Sequence, residues 1–177
     1  MELITKIKIP KGYSEQERKA IAQDTIDYIV ERTQEENLDK NNEPFAEYSE
    51  SYINSRKFRI AGKNKRDVNL TLTGEMINSL KLVDHSDGEI IIGFPKASKK
   101  LKGKIEGNIL GTYGNPEPVT EPRNFLGVEN DDLAKDPKAK HILDYYPQDE
   151  ESKNDLIERV NNVRLKKGFA KAWVSKN

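Results

Sequence analysis

The dipeptide Asp87-Gly88, set between β-rich runs at residues 80–83 and 89–94, is the strongest constraint this chain places on its own fold. Asp and Gly both tolerate positive φ, which a tight turn between antiparallel strands requires, so His85-Ser86-Asp87-Gly88 reads as a hairpin turn. Any sheet built on this hairpin contains an antiparallel pair. Ile7 and Ile9 alternate with Lys6 and Lys8 before Pro10 and Gly12, which predicts a further short strand at a sheet edge.

Ser14-Glu15-Gln16-Glu17 has the capping-box form and predicts a helix start. Ala22, Ile26, Ile29, Val30 and Thr33 then recur at helical spacing to about residue 36, while Asp24, Asp27, Glu31, Glu35 and Glu36 read as the solvated face. Phe45, Tyr48, Tyr52, Ile53 and Phe58 supply aromatic and apolar anchors for a short helix, and residues 62–67 read as a basic loop. Thr73 reads as the cap of a short helix ending near Ser79, with Leu70, Leu72, Met76, Ile77 and Leu80 around the Thr73-Gly74 step.

Beyond the hairpin the pattern loosens. Lys96, Lys99, Lys100, Lys102 and Lys104 put five lysines in nine residues, and glycines at 107, 111 and 114 lead to Pro116, Pro118 and Pro122. We read this stretch as one long exposed loop. Asn124-Phe125-Leu126-Gly127-Val128 is apolar again and predicts a segment docking on the core. Residues 129–151 carry eight acidic and three basic side chains, read as a loose connector around Ile142, Leu143, Tyr145 and Tyr146. Residues 153–177 reverse the sign, with seven basic and two acidic, and space Leu156, Ile157, Val160 and Val163 as a C-terminal helix with a Phe169–Trp173 tail. The expected architecture is α+β: a small antiparallel sheet packed by a long N-terminal helix and a C-terminal helix, with long exposed loops. Residues 1–128 form the core domain; residues 129–177 pack on it or on a neighbouring subunit.

Chemistry is thinly represented. With no cysteine there is no disulfide, thiolate zinc site or cysteine nucleophile, and a reducing compartment suits the chain. His85 in the predicted turn and His141 in the acidic connector show no ligand spacing. The glycines after residue 107 suggest a phosphate loop only superficially, because no helix-forming run follows and the Walker Lys-Ser/Thr is missing. No catalytic, cofactor or metal site is expected. Lys plus Arg and Asp plus Glu balance at 30 each, so any contact with nucleic acid has to be local. The start of the chain lacks an apolar signal core, and no apolar run approaches the roughly 18 residues of a membrane span. Charged residues reach 34% at a mean hydropathy of −0.85, more surface than a compact globule needs, which favours an assembly or binding protein.

Taken together, Phe45, Tyr48 and Tyr52, then residues 72–80 with Leu-Thr-Gly at their start, then Ile90-Ile91-Ile92-Gly93-Phe94, then Glu121-Pro122-Arg123-Asn124-Phe125-Leu126-Gly127-Val128, resemble the neck or tail-completion proteins of tailed bacteriophages, the virion-morphogenesis family. The resemblance covers about residues 45–128. Relatives often carry His-Gln-x-Gly before the Arg-x-Phe-Leu element; here stand Glu106-Gly107-Asn108 and Gly111-Thr112, and the part after Asn130 is longer. The resemblance implies a structural, non-enzymatic subunit, made in the host cytoplasm and located in the virion neck. It would form a six-fold ring around the DNA channel and meet other neck, tail-terminator or head-completion proteins, with no membrane contact. Thr73, Gly74, Gly93, Pro122, Arg123, Phe125, Leu126 and Gly127 are expected to define the fold: Thr73-Gly74 capping and turning, Gly93 letting its strand bend, Pro122-Arg123 fixing the entry of Phe125-Leu126 into the core. The five lysines, with Phe169 and Trp173, are the candidates for partner or channel contacts. Two other readings stand beside this one: a nucleic-acid-binding module using those lysines and the basic C-terminus, and a hydrolase, which would need a buried acidic pair.

Overall fold

The structure is a computed structural model that describes residues 3–60, 68, 70 and 74–146. The predicted basic loop at 62–67, the Thr73 cap, and the C-terminal helix with Phe169 and Trp173 lie outside these residues.

Three strands, β1 (Ile4–Lys8), β2 (Lys81–Ser86) and β3 (Glu89–Gly93), form an antiparallel sheet in the order β1-β3-β2. The hairpin is therefore β2-β3, and β1 is an edge strand as its short alternating pattern predicts. The turn is tighter than the sequence reading: His85 and Ser86 belong to β2, pairing with Ile90 and Glu89, so only Asp87 and Gly88 make the connection. Gly88 takes the positive φ (+91°), while the Asp87 carboxylate accepts from the Gly12 N–H at 2.8 Å and ties the hairpin to the segment after β1. A bulge between Leu82 and Asp84 inserts Val83, so Leu82 and His85 sit opposite Ile92 and Ile90 on the same face of the sheet.

That face is the core side. Ile7, Ile90 and Ile92 are fully buried and are covered by α1 (Glu15–Gln34), which packs on β2 and β3. Both halves of the predicted capping box form at its start: Ser14 Oγ accepts from Glu17 N–H, and the Glu17 carboxylate accepts from Ser14 N–H. Ala22, Ile26, Ile29 and Thr33 are buried, joined by Ile21, Thr25 and Arg32. The face expected to be solvated is not wholly so, since Asp24 accepts the Tyr146 hydroxyl at 2.6 Å.

Two short helices, α2 (Glu50–Ile53) and α3 (Arg56–Ile60), bring Tyr48, Tyr52 and Phe58 into one aromatic cluster, Phe58 edge-on to both tyrosines and the tyrosines tilted at 56°, with ring centroids 5.1–5.6 Å apart. A 3-10 turn at Ile77–Ser79 then leads into β2.

The predicted long loop after β3 is corrected. Residues 99–110 are a helix, α4 (Lys99–Leu110), capped by Ser98 Oγ on the Leu101 N–H and ended by Gly111 in the left-handed region. Leu101 and Ile105 anchor it in the core at i, i+4 spacing. Gly107 is a packing position: an added Cβ would lie 2.5 Å from the Tyr113 ring. Residues 111–120 loop out and close where the Gly111 carbonyl accepts from the Val119 and Thr120 N–H groups.

The acidic stretch is not a loose connector over its described part, 129–146. Leu133, Ala139 and Ile142 join the same hydrophobic cluster as Ile7, Ile29 and Phe125, and Leu133 N–H bonds the Lys8 carbonyl at the β1 edge. A 3-10 helix at Lys140–Tyr145 carries His141, exposed, and packs against α1. Among the described residues no helix is long and apolar enough to cross a membrane.

Candidate functional site

Residues 122–128 are gripped by two buried arginines. Arg123 is 4% exposed; its Nε and Nη2 donate to the Ala46 carbonyl, Nη2 also to Glu47, and its backbone N–H bonds the Asn108 carbonyl of α4 at 2.7 Å. Arg32, reaching from the last turn of α1, donates through Nη2 to the carbonyls of Phe125 (2.8 Å) and Gly127 (3.0 Å), with its guanidinium over the Tyr28 ring. Burial holds the Arg32 pKa below its usual value, partly offset by Tyr28 and Asp136. Between these clamps Phe125, Leu126 and Val128 enter the core, and the Phe125 ring meets Phe94 edge-on at 6.3 Å.

The roles expected of this motif are partly different in space. Gly93 is required by close approach, since a Cβ there would lie 2.4 Å from the Leu3 carbonyl across the β1-β3 pair. Gly74 and Gly127 have φ of +72° and +125°, conformations that favour glycine. Pro122 is exposed; it is Arg123 that anchors the segment.

Asp136 is fully buried and was not singled out by sequence. Its carboxylate accepts from the N–H groups of Glu129, Lys138 and Ala139 at 2.8–2.9 Å, folding residues 129–139 around it. Tyr28 donates to Asn42 at 2.9 Å; burial, with the Asp136 charge nearby, pushes its phenol up to about 12. Among the described residues no second carboxylate is buried, and no group of three His, Asp or Glu side chains is placed to hold a metal.

Of the lysines, Lys96 precedes α4, while Lys99, Lys100 and Lys102 lie on its first turn; all four are exposed, with no ion pair among the described residues. Lys104 departs from the group. It borders a cleft of about 330 Å³ and lies 3.7 Å from Glu75. Tyr48, Tyr52, Met76, Tyr113 and Arg123 also line this cleft, between α2, the Gly74–Met76 step, α4 and the 111–123 loop. Tyr113 donates to Asn108 at 2.7 Å and crosses Gly107, so the glycine lets the ring form a wall. Sequence reading placed Tyr48 and Tyr52 as anchors but not beside Tyr113 and Arg123; it lacked α4, which brings them together.

The class these features define is an α+β domain with a three-stranded sheet, one covered sheet face and an aromatic cleft lined by a buried arginine. Comparison with protein-family models, curated proteins and solved structures found no match.

Proposed function

We propose that the chain is a structural neck or tail-completion subunit of a tailed bacteriophage, forming a ring that joins the DNA-filled head to the tail. The observation that carries the reading is spatial convergence of the resembling segments. Met76 and Ile77 after the Gly74 step, Ile90, Ile92 and Phe94 of the Ile-Gly strand, and Phe125, Leu126 and Val128 of the Arg-x-Phe-Leu-Gly element, far apart in sequence, share one hydrophobic cluster. The reading requires these segments to pack against one another, and they do so in the core that the rest of the domain shares. Extended loops at 37–48 and 111–122 around this small core suit a subunit that meets several neighbours. In the phage encoding the chain, deleting its reading frame should leave DNA-filled heads and separate tails in electron micrographs. Normally joined, infectious particles would overturn the proposal.

The exposed Lys96, Lys99, Lys100 and Lys102 favour a second reading, direct contact with duplex DNA. Four phosphate contacts give a binding constant falling with salt at a log–log slope of about −3.6. Absence of binding at ~50 mM salt, where phosphate contacts are strong, would remove it.

A further inference from the structure

The Arg123 guanidinium is buried, yet its partners are all neutral: the Ala46 and Glu47 carbonyls, the Tyr113 hydroxyl, and the Tyr48 ring it stacks on at 5.3 Å. Among the described residues no carboxylate lies within ion-pair distance of it. A buried cation without a counter-charge is costly, and the cost falls when an anion enters beside it. Arg123 forms part of the cleft wall and Lys104, paired with Glu75 at 3.7 Å, stands at its border, so the cleft is aromatic and apolar with Arg123 as its uncompensated positive charge. It fits a bulky apolar side chain next to a carboxylate. A nucleobase is a poorer fit, because the Tyr48 and Tyr52 planes are tilted 56° to each other and both meet Phe58 edge-on rather than standing as parallel stacking platforms.

The chain carries such a group on another surface. In the 3-10 helix Lys140–Tyr145, Ile142 is buried in the core and the following Tyr146 is bonded to Asp24, so this turn is held at both sides. Between them Tyr145 is 62% exposed, and Asp144 beside it is exposed with no ion pair among the described residues. None of these residues lines the cleft. We infer that Asp144-Tyr145 of one copy inserts into the Tyr48–Tyr113–Arg123 cleft of the next, the tyrosine ring filling the aromatic walls and the carboxylate facing Arg123 and Lys104. A knob and a hole on different surfaces make a heterologous contact, which repeats from copy to copy and closes into a ring where the rotation permits. The inference deepens the ring reading above and rests on it for closure; the pairwise contact stands or falls by itself.

The test uses the full chain and measures mass against concentration by light scattering and analytical ultracentrifugation. The unaltered chain should associate, and Tyr145→Ala should weaken association about thirty-fold, as for a central aromatic anchor. Its melting curve should match that of the unaltered chain at concentrations where both are monomeric, because the side chain lies outside the core. Lys104→Glu and Asp144→Lys should each weaken association, and in the double variant the two losses should fall short of additivity, because residues 104 and 144 then attract each other while Arg123 still repels Lys at 144. A photoreactive benzoylphenylalanine at position 145 should cross-link to cleft residues of a second copy. The inference is overturned if the unaltered chain stays monomeric at ~1 mM, if Tyr145→Ala associates normally, if the two charge reversals are strictly additive, or if the cross-link maps elsewhere or to another protein. Particles that join normally without the protein, combined with weakened Tyr145→Ala association, would remove the neck reading and keep this contact. Unjoined particles together with unaffected association would do the reverse.

Discussion

Phe125→Ala tests whether the Arg123–Val128 segment closes the core or merely lies along it. The side chain is fully buried, meets Phe94 edge-on at 6.3 Å, and stands between the Arg32 and Arg123 clamps that hold its backbone. Removing a buried phenyl ring loses its transfer free energy and leaves a cavity, together about 3–5 kcal/mol. Against a total stability of about 5–15 kcal/mol, that is a large fraction for one side chain. With a urea dependence of about 2 kcal/mol per molar, the unfolding midpoint followed by far-UV circular dichroism should fall by roughly 2 M. The aromatic pair has its own signature: in a cycle with Phe94→Ala, the two losses should fall short of additivity by about 0.5–1.5 kcal/mol. A Phe125→Ala loss below about 1 kcal/mol would refute the reasoning, since only a collapsible or exposed site gives so little.

Gly111→Ala should cost about 1–3 kcal/mol from left-handed backbone strain alone, and more because the new Cβ would lie 2.1 Å from the Thr120 carbonyl; Gly103→Ala, in the same helix with nothing within 4 Å, should instead raise the melting temperature. Equal effects at the two positions would contradict the placement of α4 and its cap. Stability should also fall between pH 10 and 12 as Tyr28 ionises more readily unfolded than folded: its raised folded pKa means the contribution is complete below 10 and lost on passing 12. Tyr28→Phe should reduce this alkaline loss by about 1 kcal/mol, discounted for partial exposure, and an unchanged pH slope would show that the phenol is not held as described.

Much of the fold was legible because several elements carry two agreeing local signals. The hairpin has turn chemistry and β-rich flanks, and α1 has a capping box followed by an apolar stripe, so both form within a few residues of the expected bounds. Helix α4 was hidden by its composition. Ser98, Leu101 and Ile105 carry a cap and helical spacing, but Gly103, Gly107 and the lysines between them have the look of a loop. Gly107 makes sense only once Tyr113 is seen across it, a contact formed by the chain turning back. Arg32, Arg123 and Asp136 show the same limit: the first two are recruited by main-chain carbonyls 76–95 residues away, and side-chain type alone does not disclose such partners. Asp136 bonds close neighbours, but a carboxylate in an acidic run reads as solvated until Leu133, Ala139 and Ile142 are seen packed around it. The cleft inherits the difficulty, since four separate segments build it.

The central proposal, that this chain is a neck subunit, is tested most directly by cryo-electron microscopy of the head–tail junction in purified virions whose genome carries its reading frame. The account predicts a ring there whose repeating density fits the β1-β3-β2 sheet, the 20-residue helix α1 and the Arg123–Val128 segment beneath it. A complete junction reconstruction, every density accounted for by other chains, would contradict it.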